Sequence, residues 1–90
     1  MKKIENKTYY NKRIWLNDED SPSTGSMVAY DGVEIEDGVS FDVRYLRFTD
    51  CYNVIRLHQE HYSTKEDYLK KLRLIKDNLD LYIKHLENSK

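Results

Sequence analysis

Disulfides, backbone breakers and long apolar runs are all scarce in this chain of 90 residues. A single cysteine, Cys51, leaves no internal disulfide and fits a reducing compartment, so a cytoplasmic location is expected. The one proline, Pro22, and Gly25 both fall in the polar stretch NDEDSPSTGS, residues 17–26, which reads as a loop, and neither residue type interrupts residues 64–88. No stretch approaches the roughly 20 apolar residues of a membrane span, and the basic amino terminus, MKKIENKTYYNKR, has no apolar leader core. Neither secretion nor membrane insertion is expected. Positive charge is missing altogether from residues 17–42.

Catalytic signatures are missing as well. There is no G-x-S-x-G, no H-E-x-x-H and no glycine-rich phosphate loop. SPSTGS superficially resembles an anion cradle, but it follows three acids and leads into a strand, not into a helix amino terminus. Cys51 has no sequence-evident base beside it. Cys51, His58 and His61 offer thiolate and imidazole, which suit zinc, yet on a regular strand Cys51 and His58 point to opposite faces. No metal, no cofactor and no enzymatic activity are expected.

What is present suits one small domain over residues 1–90. The chain is 39% hydrophobic and 34% charged, enough apolar material for a core under an ion-dense surface. Eight tyrosines, two phenylalanines and one tryptophan carry much of the apolar area, with the polar tips that half-buried or interface positions use.

After a basic arm at 1–7, the run TYYNKRIWL at 8–16 reads as a strand. MVAY at 27–30 and VEIE at 33–36 flank Asp31-Gly32, and Asp37-Gly38 follows; each Asp-Gly pair predicts a two-residue hairpin. VSFDVRYLRF at 39–48 changes phase, with Phe41, Val43 and Tyr45 on one parity and Leu46 and Phe48 on the other. That change implies a bulge near Tyr45 or a strand covered on both faces. YNVIRLH at 52–58 closes the sheet. From Ser63 the period becomes helical, with Ser63 and Glu66 as a capping box. Tyr68, Leu72, Ile75, Leu79, Tyr82 and Leu86 then recur at spacings of four and three. The expected fold is α+β: an antiparallel meander of four or five strands across 8–58, then one long carboxy-terminal helix, 63–88, packed on the sheet.

A helix of about 24 residues is roughly 36 Å long, whereas strands of five or six residues span only about 17–20 Å. Part of the helix should project, and a second copy of the chain is its simplest cover. Leu74 and Leu81, about 100° or more from the centre of the main stripe, would find burial in such a dimer or against another partner.

Charge is strongly segregated. Residues 1–16 carry +4, residues 17–42 carry −8 and residues 43–90 carry +3, within a net −1. Asp18, Glu19, Asp20, Asp31, Glu34, Glu36, Asp37 and Asp42 are expected to form one negative edge on the meander. Such an edge would attract a basic protein, for example a nucleic-acid-binding one, as small inhibitors or adaptors of phages and mobile elements do. Charge also serves simply to blunt exposed sheet edges.

The opposite pole supplies an alternative. Arg44, Arg47 and Arg56 lie among Tyr45, Phe48 and Tyr52, and Lys70, Lys71 and Arg73 follow on the helix; arginines beside aromatics on an open sheet hold single strands. The order of strands followed by a carboxy-terminal helix, with IRL in the strand that leads into it, resembles PC4-type single-stranded-DNA-binding domains. That resemblance implies helices paired in a dimer and nucleic acid as partner.

Overall fold

The computed structural model describes residues 3–20, 25–50, 52–60 and 62–89. Four strands, β1 (Ile4–Trp15), β2 (Gly25–Glu36), β3 (Val39–Asp50) and β4 (Asn53–His58), form one antiparallel meander in sequence order, and helix α1 (Lys65–Asn88) follows. The α+β expectation holds, with four strands.

The fifth strand disappears because Asp31-Gly32 is not a turn. β2 runs straight through it, in unbroken register with β3 from Gly25↔Asp50 to Glu36↔Val39. Two local contacts replace the hairpin. Asp31 lies 2.9 Å from Arg44, and Gly32 lets neighbouring atoms approach closely: a Cβ there would sit 2.5 Å from the Lys7 carbonyl oxygen and 2.8 Å from the Tyr30 hydroxyl. Asp37-Gly38 does turn the chain, with φ of 51° and 83°, the paired positive values that a type I′ hairpin requires.

The phase change in β3 reflects a two-sided strand, since its register with β2 has no break. The sheet's one register shift among the described strand pairs lies in β1, between Thr8 and Tyr10. Strand pairing also reaches back to Ile4↔Glu36, so residues 4–7, expected as part of a free arm, belong to β1.

The helix begins one residue later than the Ser63–Glu66 box implies. Thr64 is the N-cap, with its Oγ1 accepting from the Asp67 N–H at 3.1 Å and the Asp67 carboxylate accepting from the Thr64 N–H at 3.2 Å. Ser63 is occupied elsewhere: its N–H and its hydroxyl both donate to the Glu60 carbonyl. Replacing Thr64 with alanine should cost about 1 kcal/mol, read as a lower urea midpoint by helix circular dichroism.

Where the helix meets the sheet, Tyr68 is 6% exposed and its hydroxyl donates to the Leu57 carbonyl at 2.9 Å. Burial pushes the Tyr68 phenol above its ordinary pKa. Leu69 and Leu72 are half-buried against Tyr10, Ala29 and Leu46, and every residue from Arg73 to Ser89 is exposed. The molecule is consequently long, 59 × 31 × 20 Å, with a radius of gyration of 16.7 Å. A compact domain of this length would have about 12 Å.

Candidate functional site

Alternation and register divide the sheet into two faces of different chemistry. On the helix side lie Tyr10, Ala29, Asp31, Arg44, Leu46 and Leu57. The other face has no helix over it. Its central row, read across the four strands, is Arg13, Val28, Arg47, Arg56. One adjacent row is Asn11, Tyr30, Tyr45, His58, and the row on the other side is Trp15, Ser26, Thr49, Val54.

Three arginines thus stand in one line between a row that carries two tyrosines and a row that carries one tryptophan. Tyr30 and Tyr45 stack with ring centroids 5.0 Å apart and planes 12° from parallel. The Arg56 guanidinium lies 4.2 Å from the Tyr45 ring centroid, and that of Arg13 lies 5.7 Å from the Trp15 ring. Val28, 5% exposed, fills the gap in the arginine row, and a shallow hollow opens between Asn11, Arg13, Val28, Tyr45 and Arg47. Arg47 and Arg56 are direct cross-strand partners, an arrangement of like charges that costs stability. An anion bound between them would relieve that cost.

The nearest acids on this face belong to Glu34, opposite Asn6 and Phe41, and Glu36, opposite Ile4 and Val39. Glu34 lies six residues along β2 from the arginine row, about 20 Å at strand rise, while the physiological Debye length is about 8 Å. The positive patch is therefore electrically separate from them. With strands about 4.8 Å apart and same-face residues about 6.8 Å apart along a strand, the patch measures roughly 14 × 14 Å, room for two or three nucleotides.

The eight acids do not make one ridge. Asp18, Glu19 and Asp20 sit in the exposed segment after β1, and Asp37 in the turn at the far end of β2, about 37 Å of strand away. Glu34 and Glu36 are on the arginine face, whereas Asp31 and Asp42 are on the helix side. These last two hold Arg44, with Nε 2.9 Å from Asp31 Oδ1 and Nη1 2.9 Å from Asp42 Oδ2. Asp31 Oδ1 is fully buried with no aligned hydrogen bond, so its link to Arg44 is a charge contact. The scatter follows from the straight passage of β2, since a single edge needed a hairpin at Asp31-Gly32.

The alternative set separates too. Tyr45, Arg47 and Arg56 share the open face, while Arg44 points the other way, into the acids and into Gln59, whose Oε1 accepts from Nη1 at 2.7 Å. Gln59 Nε2 in turn donates to the Ser63 carbonyl, so Arg44 ties β3 to the segment that leads into α1. Phe48 is on the helix side, and Tyr52 is wholly exposed in the β3–β4 connection. Lys70, Lys71 and Arg73 lie exposed on α1, with Lys71 3.8 Å from Glu60. Leu74 and Leu81 are exposed. Arg13 and Trp15 are the members of the patch that reading the arginine and tyrosine clusters missed; their alternation in KRIW was the available signal.

His58 is on the open face, and Cys51 and His61 lie outside the described residues. Among the described residues no three histidine, cysteine or acidic side chains group as metal ligands, and no helix is long and apolar enough to cross a membrane. Comparison with known proteins returns no match, whether to a family model, a curated protein or a solved structure.

Proposed function

We propose that this chain is a non-enzymatic module that binds single-stranded nucleic acid across the open face of its sheet. The observation that carries the reading is the row Arg13, Arg47, Arg56 set between Trp15 on one side and Tyr45 on the other. Arginines take the phosphates, and the rings stack on bases that are free to splay out. An open sheet face with an exposed indole and half-buried tyrosines favours unpaired strands, because a duplex keeps its base faces stacked inside. The net charge of −1 is no obstacle. What the ligand feels is the patch, not the whole-chain sum.

Binding of a basic protein to an acidic ridge is the weaker reading, because the acids lie at both ends and on both faces of the sheet. Its own test remains simple: reversing Glu34, Glu36 and Asp37 to lysine should abolish capture of such a partner.

Fluorescence anisotropy with a labelled oligothymidine tests the proposal. At about 50 mM salt the expected affinity is micromolar or tighter, falling with a log–log salt slope of about −2 for three phosphate contacts. Trp15, the single tryptophan, should be quenched on binding. Absence of binding at low salt, or equal binding of duplex and single strand with no quenching, overturns the proposal.

A further inference from the structure

An independent observation concerns the helix. Beyond Leu72 the stripe continues through Ile75, Leu79, Tyr82 and Leu86 with nothing over it; all four side chains are exposed. Their spacing of four and three is the 3.5-residue period of a coiled-coil seam. The whole chain exposes 7831 Å², whereas a folded monomer of this size exposes about 5,600 Å². The surplus, roughly 2,200 Å², falls within the 1,000–2,500 Å² that each partner of an obligate dimer buries.

Charge along α1 selects the partner and its direction. Residues 70–76 carry Lys70, Lys71, Arg73 and Lys76 with no acid, and residues 77–88 carry Asp77, Asp80 and Glu87 against Lys84. Side by side and parallel, two such helices would set cations against cations. Antiparallel about a two-fold between Asp80 and Leu81, Lys71 and Lys76 no longer meet each other, Arg73 of one copy falls level with the Glu87 turn of the other, and the helix dipoles oppose favourably. A two-fold axis makes this contact self-complementary and closed.

We infer that the protein is a homodimer whose two α1 helices pack antiparallel along the Ile75–Leu79–Tyr82–Leu86 seam, with the two sheets held at opposite ends of the helix pair. The seam is apolar and built on one helix, so the second copy supplies the burial that a single chain lacks. This inference does not depend on what the open face binds.

Sedimentation equilibrium of the full chain over a concentration series should give twice the chain mass at micromolar concentration. Leu79→Lys should yield monomer, with helicity followed in parallel by circular dichroism. Direction is tested without touching the seam. Arg73→Glu should weaken the dimer about 3-fold at low salt, and adding Glu87→Arg should restore it. A monomeric wild-type chain, a Leu79→Lys chain that is still dimeric, or a reversal that strengthens association would each overturn the inference. So would failure of the Arg73–Glu87 swap to restore the dimer.

Discussion

Reversing Arg47 and Arg56 together to glutamate should weaken oligothymidine binding by about 100-fold or more, the equivalent of roughly 3 kcal/mol. Each arginine loses a phosphate contact, and each glutamate adds repulsion in its place. The two sites are direct cross-strand partners, so their effects should couple. The same double variant should keep the fold without gaining stability, because one like-charge cross-strand pair replaces another, the Arg56–Tyr45 contact is lost, and both positions keep part of their surface in solvent. Loss of binding by a chain that still melts cooperatively is the expected pair of results; undiminished affinity would remove the arginine row from the binding face. Arg44→Met makes an informative contrast. Arg44 is on the helix side and held by Asp31, Asp42 and Gln59, so this change should lower stability and leave affinity alone.

Gly32→Ala should produce the largest stability loss of any single change to the sheet. The added Cβ would meet the Lys7 carbonyl oxygen at 2.5 Å, and that atom belongs to the neighbouring backbone and cannot swing away. The Tyr30 hydroxyl, 2.8 Å from the same point, would have to abandon its 2.9 Å hydrogen bond with the Thr8 hydroxyl. Overpacking of this kind costs about 2–3 kcal/mol, which lowers Tm by roughly 10–20 °C in a domain of this length. A thermal melt followed by circular dichroism measures it directly. Nothing lies within 4 Å of a Cβ at Gly38, so any cost there comes from its φ of +83° alone.

The contrast between these glycines explains how much of the fold was legible in the sequence. Two identical Asp-Gly pairs, six residues apart, carry the same local signal, yet only the second turns. At Asp31-Gly32 the deciding facts are tertiary: an arginine on β3 for the aspartate and a close carbonyl on β1 for the glycine. The helix was legible because its signal is local and repeated over about five turns, from Tyr68 to Leu86. Even there, Ser-Thr-Lys-Glu-Asp offers two overlapping caps, and the Ser63 hydrogen bonds to Glu60 favour the second. The candidate site was half legible. Arg47, Arg56 and Tyr45 share a parity that can be counted on one hairpin; alternation in KRIW puts Arg13 and Trp15 on one face, but which face is set by the pairing of β1 and not by the local pattern.

That pairing hinges on one residue. Before the irregularity, even-numbered positions of β1, Ile4, Asn6 and Thr8, share the open face; after it, odd-numbered Asn11, Arg13 and Trp15 do. Tyr9 has no cross-strand partner and acts as a frame-shift written in backbone geometry. Were Tyr9 instead paired in regular alternation, Lys12 and Ile14 would take over the open face and the lone indole would turn toward the helix. The reading frame of the surface, and not its inventory of side chains, is what this small irregularity sets.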